Sequence, residues 1–75
     1  MPKQEYPLSI NLKKLREKKK LSQDRLAKLA DIANNTIIKI EQGENTNPTL
    51  ATLKKIAKAL GVGLNELTGY QLRGK

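Results

Sequence analysis

The sequence predicts an all-α domain of five short helices, and three observations support this prediction. Apolar residues recur at i, i+3 and i+4 along much of the chain, which is the spacing of one helical face. Ser, Thr, Asp and Gly stand at the ends of these segments, where helix caps are expected. The chain has 75 residues and no Cys, and so small a core without disulfides is usually stable only when it is all helical.

Helix one is predicted from about Ser9 to Lys19, with Ser9 as its N-cap. Leu12 and Leu15 form its apolar stripe. Lysines crowd its other faces and its C-terminal end: Lys13, Lys14, Lys18, Lys19 and Lys20. Part of this run is explained structurally, because positive charge at a helix C-terminus is favourable to the helix dipole.

Helices two and three are predicted in the stretch SQDRLAKLADIANNTIIKIEQG, Ser22 to Gly43. Ser22 is the expected N-cap of the helix Gln23 to Ala30, and helix three begins near Ala33. Asp31 occupies the turn between them, where a left-handed backbone is often needed. We expect the following residues to be buried: Leu26, Ala27, Leu29, Ala30, Ile32, Ile37 and Ile40.

Helix four is predicted to begin at Leu50, with Thr49 as its N-cap and Gly61 as a left-handed C-cap. Its apolar stripe is Leu50, Leu53, Ile56, Ala57 and Leu60. A short helix five follows from about Leu64 to Thr68, and Gly63 stands where a hydroxyl cap would be usual.

The motif positions in helices two and three agree in order and spacing with a known pattern: Gln23, Ala27, Asp31, Ile32, Ile37 and Ile40. They resemble the helix-turn-helix of lambda-repressor-like proteins of the Cro and xenobiotic-response-element type. Upstream, NLKKLREKKKLSQ looks like the family's first helix, and downstream EQGENTNP and TLATLKKIAKALGV look like its loop and fourth helix. The resemblance covers about Leu12 to Leu67, and implies a compact five-helix DNA-binding domain over residues 8–68. Residues 1–7 would be a flexible arm and residues 69–75 a tail.

The resemblance also implies a partly buried ion pair between Arg16 and Glu41, with a structural role. Arg suits this role because its planar fork can meet a carboxylate with two hydrogen bonds.

A base-reading face follows from taking Ile37 and Ile40 as the inward direction of helix three. At about 100° per residue, Asn35, Lys39 and Gln42 point away from the core, with Asn34 and Ile38 on the flanks. Asn can bond adenine and Lys can donate to guanine in the major groove. The resemblance assigns this reading role to Asn34, Asn35 and Lys39. Ile38 either contacts a thymine methyl or is one of the scattered exposed apolar residues that are normal on protein surfaces.

Gln23 is expected to hold a phosphate, because it opens helix two and a helix N-terminus favours anions. The resemblance implies that it also braces Asn34. Ala33 departs from the family pattern, in which a hydroxyl residue caps helix three, so Asn34 is a candidate cap instead.

The loop after helix three carries Asn45, Thr46 and Asn47, whose side chains can donate hydrogen bonds to phosphates. Similar proteins have Lys or Arg there. Glu44 would be repelled by phosphates, so we expect weak non-specific affinity from this loop.

The composition limits the chemical class of the binding partner. A formal charge of +8 and a pI of about 10.0 indicate a polyanion. The chain has only two aromatic residues. Proteins that bind single strands or RNA usually stack the bases on several aromatic side chains, so the composition favours duplex DNA. Without His or Cys we expect no enzyme activity, no metal and no cofactor. No apolar run is long enough for a membrane span and no signal-peptide core is visible, which predicts a cytoplasmic protein, nucleoid-associated when bound to DNA.

The predicted function is sequence-specific binding of double-stranded DNA by helix three, as a transcriptional regulator and repressor. A homodimer on a palindromic operator is expected, with half-sites roughly 34 Å apart and Leu64, Leu67 and Tyr70 as the candidate dimer surface. No small-molecule effector is expected within this chain. The alternative is an antitoxin or protein-interaction adaptor with the same fold. A cationic membrane-binding role rests on helix one alone and leaves the other helices unexplained.

Overall fold

The computed structural model describes residues 7–69. Over this range it contains five helices and no strand, which confirms the all-α prediction. The helices are α1 Pro7–Lys18, α2 Gln23–Ala30, α3 Asn34–Glu41, α4 Leu50–Leu60 and α5 Leu64–Thr68. None of the helices in residues 7–69 is long and apolar enough to cross a membrane.

Helix α1 begins earlier than predicted. It starts at Pro7, so Ser9 lies inside the helix and is not its N-cap, and Pro7 does not belong to an arm. Proline is favoured in a first helical turn because its missing N–H has no intrahelical partner there. The added turn also brings Leu8, which is 9% exposed, into the core. The rest of the predicted arm and the tail from Tyr70 onwards lie outside the described residues.

The core is built from the apolar faces of all five helices: Leu8, Leu12, Leu26, Ala27, Ala30, Ile37, Ile40, Ile56, Ala57, Leu60 and Leu67. Helix α3 packs against α1 and α2, while α4 packs against α2 and α5. Ala27 is 2% exposed, and its small side chain allows α2 and α3 to approach closely where they cross.

Two predicted core residues are wrong. Leu29 is 54% exposed and Leu50 is 57% exposed, while Ile32 is partly buried against the core. Both leucines lie at the edge of the apolar face, about 70–110° from its centre at 100° per residue. The buried face of α2 is formed by Leu26, Ala27 and Ala30, which leaves Leu29 outside it.

Helix ends follow local chemistry closely. The hydroxyls of Ser22 and Thr49 accept from the backbone N–H three residues on, as predicted for N-caps. After α1, α2, α3 and α4 the chain turns through a residue with positive φ, at Lys20, Asp31, Gly43 and Gly61 respectively. In each case the next N–H bonds to the carbonyl five residues back, which is the Schellman turn. The predicted left-handed conformations of Asp31 (φ 60°) and Gly61 (φ 73°) are therefore confirmed.

Candidate nucleic-acid interface

Helix α3 has one buried side and one exposed polar side. Ile37 and Ile40 are fully buried, and this fixes the rotation of the helix. Asn34, Asn35, Lys39 and Gln42 are exposed, and Ile38 is half-buried at the edge of this surface. We call these five residues the α3 outer face. Side-chain hydrogen bonds and ion pairs within residues 7–69 involve none of the five.

The N-terminus of α3 has no side-chain cap. Ala33 has cap geometry, with φ −69° and ψ 141°, but offers no side-chain acceptor. Asn34 is the first helical residue, so the expectation that Asn34 would cap the helix is wrong. Its amide therefore stays available on the α3 outer face, beside backbone N–H groups that have no intrahelical partner.

The C-terminus of α3 is held by the predicted ion pair, which is confirmed. Arg16 Nε lies 2.6 Å from Glu41 Oε2, and Arg16 Nη2 donates to Glu41 Oε1 at 3.0 Å. The two side chains are 12% and 5% exposed. Arg16 Nη1 donates to the carbonyl of Leu21 at 2.8 Å, so the guanidinium also holds the chain that leads into α2.

The ion pair changes the pKa of Arg16. The hydrogen bonds that Arg16 donates to Glu41 are the main influence, and they raise the pKa of the guanidinium above its ordinary value although burial lowers it. No group of acidic side chains within residues 7–69 is arranged to hold a metal ion.

Gln23, at the start of α2, contacts Glu41 rather than Asn34. Its Nε2 donates to Glu41 Oε1 at 3.0 Å, and no hydrogen bond within residues 7–69 joins it to Asn34. The expected bracing of Asn34 is therefore wrong for this structure. Sequence reasoning missed the contact because it joins residues 18 positions apart whose approach depends on the crossing of α2 and α3.

The loop after α3 is ordered by its own polar groups. Asn45 Oδ1 accepts from the backbone N–H of Asn47 at 3.1 Å, and the carbonyl of Lys39 accepts from Glu44 N at 2.9 Å. Thr46, Asn47 and Glu44 are exposed, while Asn45 is half-buried. The loop thus presents amide and hydroxyl donors next to one carboxylate.

The candidate dimer surface needs one correction. Leu67 is fully buried in the core and has no surface to offer a second subunit. Leu64 is half-buried, and Tyr70 lies outside the described residues. The i, i+3 pattern in helix five reflects packing against α1 and α4 instead.

Comparison with known proteins identifies the class. The helix-turn-helix family HTH_3 matches residues 12–67, which is most of the chain and includes α2, α3 and α4. The chain belongs to this family. Its fold and the connection between α2 and α3 are those that the sequence pattern predicted.

Similar proteins are known in bacteria and in a phage. The chain is 40% identical over 64 residues to an uncharacterized HTH-type transcriptional regulator of Coxiella burnetii, covering 85% of this chain and 30% of that protein. It is 34% identical over 60 residues to the immunity repressor protein of Bacillus phage phi105, covering 80% of this chain and 41% of the repressor. The chain thus spans less than half the length of these relatives.

Solved structures share the fold. The restriction-modification controller protein C.AhdI from Aeromonas hydrophila has a TM-score of 0.78 and 32% identity, over 83% of this chain and 92% of that one. Hydroxypropylphosphonic acid epoxidase from S. wedmorenis has a TM-score of 0.75 and 33% identity, but the match covers only 33% of the epoxidase. The domain therefore occurs both nearly alone and as part of longer chains.

Proposed function

We propose that this chain binds double-stranded DNA sequence-specifically and regulates transcription, with α3 inserted in the major groove. The observation that carries the proposal is the α3 outer face, whose amides and ammonium group have no partner within residues 7–69. Such groups can pair with base edges. Asn34 and Asn35 lie in the first turn of α3, and the N-terminal turns of a recognition helix contact bases most directly.

Phosphate contacts set the register of this insertion. Gln23 and the N-terminus of α2 bind one phosphate, and the loop residues Asn45, Thr46 and Asn47 donate to others. The acidic Glu44 limits the non-specific part of the affinity. The unit that performs this binding is residues 8–68.

A homodimer acts as a repressor on a palindromic operator. One eight-residue helix reads few base pairs, and a two-fold dimer doubles the site. The name of the phage phi105 relative, an immunity repressor, supports repression rather than activation. The proposal includes no catalytic step, no cofactor and no small-molecule effector bound by this chain.

Selection of the purified protein against a random duplex library, at two salt concentrations, tests the proposal. We expect an enriched near-palindrome with half-sites about one helical turn apart. Binding that is blind to sequence and collapses as salt rises would contradict it, because charge alone would then be acting.

The oligomeric state is measured separately. Sedimentation of the protein with the selected duplex is expected to give two chains per duplex. A single chain on a single half-site would contradict the dimer while leaving sequence-specific reading intact.

A protein-interaction adaptor or antitoxin is the second candidate. It is favoured by the exposed Leu29 and Leu50, which are 54% and 57% exposed, and by Glu44 in the phosphate loop. Sequence-blind binding in the library selection would turn the search to a protein partner.

A further inference from the structure

The carboxylate of Glu41 accepts more hydrogen bonds than its ion pair requires. Oε2 takes the 2.6 Å bond from Arg16 Nε, and Oε1 takes two bonds of 3.0 Å, from Arg16 Nη2 and Gln23 Nε2. The fork of Arg16 alone already satisfies both oxygens. The contact with Gln23 is therefore an addition that the ion pair leaves unexplained.

This contact fixes which way the Gln23 amide faces. An ionised carboxylate can only accept, so the NH₂ group and not the carbonyl of Gln23 must face Glu41. The NH₂ group has a second hydrogen, which the bond to Glu41 Oε1 leaves free to donate. Gln23 is the first residue of α2 and is half-buried, and it therefore belongs to the end of the helix that favours an anion.

Charge balance allows an anion to approach. Glu41 is 5% exposed and its charge is matched by the bidentate Arg16. A phosphate next to Gln23 therefore meets an amide donor and a neutral pair, not a bare carboxylate.

We propose that Glu41 is a positioning residue for DNA binding, which orients the Gln23 amide so that its second N–H is presented to a backbone phosphate. This inference rests on the proposed function. Because Glu41 is the last residue of α3, the helix that reads bases also sets the phosphate contact made by α2. The carboxylate of Glu41 would thereby couple the base contacts of α3 to the phosphate contact that sets the register of the protein on DNA.

A double-mutant cycle separates this role from a merely structural one. The four proteins are the natural chain, Gln23→Ala, Glu41→Gln and the double variant. Arg16 Nε and Gln23 Nε2 meet different oxygens of Glu41, so in Glu41→Gln the single carboxamide oxygen can keep only one of these two bonds. Their Kd values are measured by fluorescence anisotropy on a duplex recovered from the library selection, at one fixed salt concentration.

We expect Gln23→Ala to weaken binding about tenfold, as for a lost hydrogen bond to a charged group. Glu41→Gln should weaken it about fivefold when Gln23 is present and less than about twofold when Ala replaces it. The coupling between the two positions is the prediction, and a simple loss of stability does not produce it.

Two outcomes overturn the inference. If Glu41→Gln costs the same in both backgrounds, Glu41 acts through the fold of α3 and not through Gln23. If Gln23→Ala binds like the natural chain, Gln23 makes no phosphate contact. In either case an enriched palindrome in the library selection would show that the proposed function itself still holds.

A measurement on the natural chain covers the possibility that Glu41→Gln does not fold. In ¹⁵N-labelled protein, the two side-chain amide protons of Gln23 give separate signals. Adding the selected duplex should shift mainly the proton that does not face Glu41. Equal shifts of both protons, or none, would overturn the inference.

Discussion

The two ends of α3 treat their polar groups in opposite ways. At the C-terminal end, Glu41 accepts three hydrogen bonds from Arg16 and Gln23 and is 5% exposed. At the N-terminal end, Ala33 provides no side-chain cap, and Asn35 is exposed with no side-chain bond within residues 7–69. These ends are about 12 Å apart along the helix axis, at 1.5 Å per residue.

The difference separates the end of α3 that is fixed to the domain from the end that we propose reads bases. A buried carboxylate is tolerated only when it is paired and hydrogen-bonded, so the Glu41 end must be fully satisfied inside the domain. Exposed amides are solvated by water and can exchange that water for base edges at little cost. The domain can therefore fix α3 at one end and leave the other free for a ligand.

The largest effect is expected when the ion pair at the C-terminal end of α3 is removed. Arg16→Met would leave Glu41 buried without its cation, and we expect the free energy of unfolding to fall by about 3–5 kcal/mol. Urea denaturation at neutral pH measures the loss. The control is Lys28→Met, which removes the 3.5 Å pair with Asp24, whose partners are 72% and 61% exposed. That change should cost at most about 0.5 kcal/mol. Equal losses in the two variants would refute a special role for the Arg16 pair.

The reading end is tested by binding rather than by stability. Asn35→Ala and Lys39→Ala should each reduce discrimination at particular base pairs by about 1–3 kcal/mol, with little change in unfolding. The control is Lys13→Ala, on the exposed side of α1, which should leave sequence preference unchanged. Repeating the library selection with each variant measures the effect. If the Asn35 and Lys39 variants keep full discrimination, the α3 outer face does not read bases.

The ends of α2 and α4 were predictable from local sequence. The N-caps Ser22 and Thr49 and the left-handed residues Asp31 and Gly61 follow from the residue type at each helix end, and all four are confirmed. The Arg16–Glu41 pair spans 25 residues. No periodicity indicates such a contact, and it was predictable only from a family resemblance.

Other features depend on tertiary placement. Leu29 matches helical spacing, yet the buried face of α2 is formed by Leu26, Ala27 and Ala30 and leaves Leu29 exposed. Leu67 is predicted to lie on the dimer surface, but it is fully buried where α5 packs against α1 and α4. The partner of Gln23 was missed for a similar reason, since its position relative to Glu41 is set by the helix crossing.

Adding a side-chain cap at Ala33 would test whether the N-terminal end of α3 has unsatisfied backbone N–H groups. Ala33 already has the backbone of an N-cap, so Ala33→Ser should supply the missing acceptor and raise the free energy of unfolding by about 1 kcal/mol. The control is Ala51→Ser, the same change at an exposed position in the first turn of α4, which already has its cap in Thr49 and should therefore gain no stability. Urea denaturation measures both. No gain from Ala33→Ser would mean that the backbone N–H groups at this end are already satisfied.

The smallest expected effect lies next to the held end. Arg16 Nη1 bonds the carbonyl of Leu21, and the chain between them turns through Lys20 at φ 60°. A non-glycine residue costs about 1–2 kcal/mol in this region, and Gly offsets part of the relief through its freedom in the unfolded chain. We therefore expect Lys20→Gly to raise the free energy of unfolding by about 0.5–1 kcal/mol.

Lys19 supplies the matched control, because its φ is not positive. Within residues 7–69 the non-glycine residues with positive φ are Lys20 and Asp31. Lys19→Gly removes the same charge without relieving a strained backbone, so it should lower stability. The two variants are compared in the same urea titration. A loss of equal size in both would mean that the turn carries no strain at Lys20. Opposite signs in the two variants would show that the turn at Lys20 is strained. Arg16, which pairs with the last residue of α3, therefore also bonds to a turn whose conformation a non-glycine residue disfavours.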